Sequence, residues 1–177
     1  MLGWNWGFGT LIPMDDYIER LLELLGHRDP ITVLETTPQR LESYLLGFFE
    51  PDLERSYAPG KWTAREILAH LADVELALGF RLRQAVTTDG YRPQAFDQDA
   101  WARRYARLEP SLAVETFRAL RAWNLALLTT FNLQDWNREV AYPFVGVDTV
   151  DDMVRFLAGH DLNHLGQLET IARGEEG

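Results

Sequence analysis

Cysteine is absent from all 177 residues. Disulfides and cysteine-ligated zinc are thereby excluded, and any thiol in the chemistry has to arrive with a substrate. Positive charge is scarce: 17 lysines and arginines against 27 acidic residues give a formal net charge of −10. Phosphate-binding surfaces need a basic stripe, and none is present, which argues against a nucleic-acid partner. The arginines of Arg81 to Arg83 and Arg103 to Arg107 read as solvated helix faces. Long apolar runs are also missing, with nothing near the ~18–20 residues required to cross a bilayer. The opening stretch, Met1 to Pro13, has neither the basic region nor the continuous apolar segment of a secretion signal. The expectation is a cytoplasmic protein with no membrane partner.

What remains suits one globular domain: 46% hydrophobic and 25% charged residues over a length that can enclose a sizeable core. Met14 opens the first helical pattern. Residues 1–13 are therefore expected to be an extension upstream of the native start, with residues 14–177 as a single domain. Whether Trp4, Trp6 and Phe8 dock on that domain is not decided by the sequence. Apolar residues recur at helical spacing in four long stretches, with no convincing strand pairs between them. The first runs from about Asp15 to Leu25, through Tyr17, Ile18, Leu21, Leu22 and Leu24, and stops near Gly26. A shorter helix is expected with Thr37 as its cap and Pro38 in its first turn, ending near Phe48.

The second long helix opens on Thr63-Ala-Arg-Glu66, a capping box, and buries Ile67, Leu71, Val74, Leu78 and Leu82 as far as Thr87. A polar stretch, Thr88 to Gln98, follows, with a helical turn or two between Asp97 and Tyr105. The third helix spans Pro110 to Phe131, with Leu112, Phe117, Leu120, Trp123, Leu127 and Leu128 as its core candidates. A connector containing Trp136, Tyr142, Pro143 and Phe144 leads to the fourth, which is capped by Thr149-Val-Asp-Asp152 and reaches Arg173. The fold class is all-α, a four-helix bundle with long connections.

The chemistry points to two of the four histidines. His160 and His164 are one helical turn apart, so both imidazoles share a face and can meet one metal ion. Met153, Leu157, His160, His164, Leu168 and Ile171 advance by threes and fours, which places the pair in the buried stripe. His70, at the edge of the buried stripe of the second helix, can reach them across the bundle. Three neutral imidazoles with an open position describe a catalytic metal site rather than a closed structural one. Ordinary hydrogen bonds within a metal-free core would also satisfy the rings. His27, beside Gly26, reads as a helix-terminal residue and not a ligand.

Lys61-Trp-Thr-Ala-Arg-Glu-Ile-Leu-Ala-His70-Leu-Ala-Asp-Val-Glu75 and Leu157-Ala-Gly-His160-Asp-Leu-Asn-His164-Leu-Gly-Gln167 resemble the two signatures of the DinB/YfiT-like family of candidate metalloenzymes. Phe96 to Trp101 and Phe144 to Gly146 are similar to it as well, so the likeness runs from about Asp15 to Arg173. It implies a four-helix bundle of unusual connection order, a homodimer, and a divalent metal on His70, His160 and His164. Zinc or nickel stands ahead of manganese or iron. By the same likeness the activity is that of a metal-dependent enzyme acting on a small-molecule substrate. It would activate either a low-molecular-weight thiol, as an S-transferase, or water, as a hydrolase. The alternative is a non-catalytic stress or interaction protein whose metal braces the bundle. Asp73 and Gln167, each about one turn beyond a candidate ligand, can hold an imidazole or a metal-bound water by hydrogen bonds. Trp62, Trp101 and Tyr105 are candidates to line a pocket, and Asp161 either serves the same face or pairs with an arginine.

Overall fold

The protein is described here by a computed structural model covering residues 14–94, 97–141 and 148–174. The expected extension, residues 1–13, lies outside the described residues, as do Phe96, Tyr142, Pro143 and the Phe144 to Gly146 segment. The helices are α1 (Met14–Leu25), α2 (Pro30–Gly47), α3 (Glu50–Leu53), α4 (Ala64–Thr87), α5 (Gln98–Ala102), α6 (Pro110–Leu128), α7 (Leu133–Trp136) and α8 (Val150–Arg173), with a 3-10 turn at Tyr105–Arg107. No strand forms among the described residues. None of the helices is long and apolar enough to cross a membrane.

Helices α2, α4, α6 and α8 close a ring. α4 packs on α6, α6 on α2, α2 on α8 and α8 on α4. The core inside the ring has two apolar halves. One gathers Val33 and Leu34 from α2, Val74 to Ala85 from α4, Leu128 from α6 and Val150 to Ala158 from α8. The other gathers Leu41 from α2, Ile67 to Ala72 from α4, Ala113 to Phe117 from α6 and Leu165 to Ile171 from α8. The order in which each helix crosses the two halves sets its direction: α2 and α8 run one way, α4 and α6 the other. Consecutive helices α4 and α6 are thus parallel neighbours, which is why a long crossover containing α5 must join them.

The two 24-residue helices, α4 and α8, start in the same way. In each, a threonine accepts from the backbone N–H three residues on, and the acid there accepts in return: Thr63 with Glu66 and Thr149 with Asp152. Such caps stabilise a helix by about 1 kcal/mol. Each capping threonine is also pinned by an isolated antiparallel bridge, Ser56 to Thr63 and Glu139 to Thr149. The expected stripes on these helices are all buried.

Four expectations need correction. α2 does not begin at Thr37: Asp29 Oδ2 accepts from Thr32 N at 2.8 Å, and Pro30 takes the first helical position. An earlier cap of the same kind therefore starts the helix, and Thr37 and Pro38 are buried inside it. With 18 residues α2 is a wall of the bundle, whereas the 12-residue α1 lies along α8. Helix α6 stops at Leu128, because Asn132 and Asp135 form a new capping box that starts α7. Its Leu112 and Trp123 are 61% and 67% exposed rather than core. The interior face of α6 instead carries Ala113, Val114, Phe117, Arg121, Asn124 and Leu128. Arg81 is buried and donates to Gln94 O at 2.7 Å, and Arg83 bonds Asn124, so of the two expected surface groups the Arg103 to Arg107 arginines are the exposed one.

α1 approaches α8 where α8 has no side chain. A Cβ on Gly159 would meet Leu21 O at 2.3 Å and Leu21 C at 2.8 Å, both backbone atoms. At Gly166, two turns on, a Cβ would meet nothing within 4 Å. Helix propensity alone favours alanine over glycine by about 1 kcal/mol at either position. The Gly159→Ala variant is expected to lose about 1–3 kcal/mol through overpacking, while Gly166→Ala gains about 0.5–1 kcal/mol. Urea titrations of the two single variants check both signs.

Candidate metal centre

Capped and pinned at their N-termini, α4 and α8 carry all three predicted imidazoles inward. His70 comes from the second turn of α4, and His160 and His164 from the middle of α8. All three are buried, at 1–4% exposure. The Nε2 atoms of His70 and His160 are 3.1 Å apart, and those of His160 and His164 are also 3.1 Å apart. One ring nitrogen from each residue lies within 4.8 Å of the other two. His27, exposed at the end of α1, takes no part.

The chemistry of the three rings follows from their protons. His164 Nδ1 donates to Gln167 Oε1 at 2.7 Å, which leaves its Nε2 a bare lone pair. The Nδ1 atoms of His70 and His160 have no hydrogen-bond partner among the described residues. Neutral rings arranged this way can form at most one hydrogen bond at a time for each shared proton, and the remaining lone pairs face one another. Extra protons are disfavoured as well. Burial, reinforced by the neighbouring imidazoles, holds His70 and His164 well below the usual histidine range. Burial and the Arg121 charge push His160 down to about 3. A single cation would satisfy all three lone pairs together. The spacing fits, because Zn–N bonds of ~2.0–2.1 Å in tetrahedral geometry put ligand nitrogens roughly 3.3 Å apart.

Aromatic rings close the site. Trp62, half-buried in the turn before α4, lies 4.6 Å from the His70 ring and is stacked at 6.3 Å over His164. Tyr105, from the 3-10 turn, packs 6.3 Å from His70 and edge-on to Trp62. Its hydroxyl lies beside the Asp73 carboxyl; burial, with Asp73 adding to it, pushes the Tyr105 phenol above its ordinary range. Burial raises the Asp73 pKa in turn. Of the predicted supporting residues, Gln167 therefore touches a histidine and Asp73 faces Tyr105. Trp101 sits on α5 at the partly exposed surface.

Asp161 is buried and belongs to a second polar group. Arg121 Nη1 donates to Asp161 Oδ2 at 2.7 Å and Arg121 Nη2 donates to Glu75 Oε2 at 2.8 Å. Pairing of Asp161 with an arginine was one of its two expected fates. Arg121 and Glu75 themselves escaped sequence reasoning. The one available signal was a charge at a core position of each helical stripe, which reads equally well as a break in the stripe.

These features define an all-α bundle protein with a buried three-histidine site suited to a metal ion. The sequence model of the DinB superfamily matches residues 33–168, and the chain belongs to that superfamily. It is 24% identical to a candidate metal-dependent hydrolase of Oceanobacillus iheyensis, over 82% of this chain and 86% of that one. A candidate metal-dependent hydrolase of Geobacillus kaustophilus is 29% identical over 81% and 82% of the two chains. The solved structure of YfiT from Bacillus subtilis, described as a probable metal-dependent hydrolase with an unusual four-helix bundle topology, superposes with a TM-score of 0.77. It is 24% identical and covers 82% of this chain and 85% of its own. That likeness establishes the fold.

Because the folded site refuses protons that free histidines accept, acid must destabilise the metal-free protein. Unfolded histidines titrate near ~6.5, whereas the three buried rings titrate lower. Stability is therefore full above ~6.5 and falls as pH drops from there towards the folded values. Each excluded proton steepens the loss by about 1.4 kcal/mol per pH unit. Urea midpoints of chelator-treated protein at pH 7.5, 6 and 5 check this, and a flat profile would count against three neutral buried rings.

Proposed function

We propose that residues 14–177 form one domain that binds a divalent metal through His70, His160 and His164 and acts as a metal-dependent hydrolase on a small molecule. The convergence of three buried Nε2 atoms carries this reading, because three protein ligands leave a coordination position for water or substrate. Zinc and nickel suit imidazole ligands well, and manganese and iron come next. When bound there, a divalent cation supplies Lewis acidity, lowering the pKa of a water or a low-molecular-weight thiol that takes the remaining position. Gln167 holds His164 in the tautomer whose Nε2 faces inward. Trp62 and Tyr105 exclude bulk water from the rings. Asp73, whose pKa burial raises, faces the Tyr105 hydroxyl and is the carboxyl we assign to holding that aromatic wall of the site. The hydrolase reading leans on the names of the relatives. Thiol transfer uses the same open position, with the thiol supplied from outside because the chain has no cysteine.

Metal analysis of protein purified without a histidine tag is expected to give about one ion per chain; less than ~0.2 after supply of zinc, nickel and manganese overturns metal binding. His164→Ala should lose the ion, and Gln167→Leu should weaken it by about 10–100-fold. Ester and amide substrates, run beside thiols with electrophiles, separate hydrolysis from thiol transfer. Metal-dependent thermal stabilisation without any turnover would favour the bracing role.

A second copy of the chain is the partner proposed for the outer face of α4 and α6. Leu76 and Phe80 on α4 and Leu112 and Trp123 on α6 are exposed on two helices that pack directly together. Large apolar side chains exposed on adjoining helices are the raw material of an interaction surface. Sedimentation should find a dimer, and Phe80→Glu combined with Trp123→Glu should give a monomer that still binds metal. A monomeric parent chain would refute the homodimer.

A further inference from the structure

Arg121 is among the most deeply buried side chains of the protein, at 1% exposure, and its guanidinium reaches the other three walls of the bundle. It contacts Asp161 on α8 with two nitrogens, at 2.7 and 3.2 Å, and Glu75 on α4 at 2.8 Å. Its third acceptor is Leu34 O on α2, at 2.9 Å. That carbonyl is free for a reason written in the sequence: its helical partner would be the N–H of residue 38, and Pro38 has none. The Phe117 ring lies under the guanidinium, 4.6 Å away.

The network continues outward. Asn124 Nδ2 donates to Glu75 Oε1 at 2.8 Å, and Arg83 Nη1 donates to Asn124 Oδ1 at 2.7 Å. Asn124 fits because residue 79 is glycine; a Cβ there would lie 2.5 Å from the amide. Two carboxylates thus face two guanidinium groups, one direct and one through Asn124. Stability alone does not account for such an arrangement, since apolar groups of equal volume do as well or better in a core. Charged groups add direction. Glu75 lies five residues after His70 on α4, and Asp161 directly follows His160 on α8.

We infer that Arg121 is a positioning residue for the histidine site: by gripping Glu75 and Asp161 it holds α4 and α8 at the register that brings His70 Nε2 within 3.1 Å of His160 Nε2. A slip of one residue moves a helix by ~1.5 Å and turns it by ~100°, which breaks both carboxylate contacts and parts the imidazoles. The inference deepens the metal reading and depends on it for the cation readout alone.

Replacing Arg121 alone strands two buried carboxylates and threatens folding, so the test removes the charges together: Arg121→Met, Glu75→Gln and Asp161→Asn. The cysteine-free background allows two exposed labelling sites, Thr87→Cys on α4 and Gly166→Cys on α8, to be added to parent and variant alike. Nitroxide distances are measured on metal-free protein, and Co²⁺ binding is followed by its d–d absorption. The charge-free variant is expected to keep its helical circular dichroism. Its inter-label distance should shift or broaden by ~1.5 Å or more, its Co²⁺ affinity should fall at least about tenfold, and its Co²⁺ spectrum should change. A distance distribution identical to the parent's overturns the inference, and so does an unchanged Co²⁺ affinity and spectrum in the folded variant. If the parent fails to bind Co²⁺, the metal reading fails, and the label distances still decide the register. If the triple variant does not fold, Glu75→Gln alone carries the same two readouts.

Discussion

The guanidinium of Arg121 is the contact on which the bundle turns. It sits between the two apolar halves of the core and bonds to α2, α4 and α8 from α6, so each wall of the ring is tied to one point. A buried cation without partners is untenable, and this site supplies two carboxylates and one backbone carbonyl. Burial disfavours the Arg121 charge, but the Asp161 and Glu75 carboxylates outweigh that effect and raise its pKa. Local sequence features become intelligible from here. Pro38 frees the Leu34 carbonyl, Gly79 makes room for Asn124, and Phe117 offers its ring face to the cation.

The histidine site obeys the opposite rule. There, three polar groups are brought together with hardly any hydrogen-bond partners, and burial keeps them neutral. Arg121 contributes from a distance, since its charge makes a proton on His160 less favourable. The core therefore holds one polar group whose charges are paired from within, next to another whose ring nitrogens face one another and suit a cation. Trp62 and Tyr105 shield the second group from water, which strengthens any electrostatic interaction formed inside it.

YfiT, similar in fold, is described as having an unusual four-helix bundle topology; in this chain the neighbouring walls α4 and α6 run parallel. That direction has a consequence for the site. α4 and α8 are antiparallel neighbours, so the second turn of α4 meets the middle of α8, where His70 finds His160 and His164. The long connection before α6 delivers Tyr105 to the same place.

Features that depend on neighbours along the chain were legible in the sequence. The capping boxes at Thr63 and Thr149, the buried stripes of α4 and α8, and the placing of three histidines in or beside those stripes all follow from a period of 3.6 residues. The start of α2 was missed because two proline signals compete locally, and only the tertiary bond from Arg121 to the Leu34 carbonyl shows how the acceptor left over by Pro38 is satisfied inside this helix. Leu112 and Trp123 looked like core because apolar residues usually are, yet Arg121 and Asn124 hold the inward face of α6. The partners of Arg121 lie 46 and 40 residues away in the chain, a pairing that helical periodicity does not encode. Sequence alone thus determined the starts of α4 and α8 and the faces those two helices bury. The order of the walls, and with it the choice of buried charges and the meeting of the imidazoles, was decided by tertiary structure, because contacts between distant segments depend on topology.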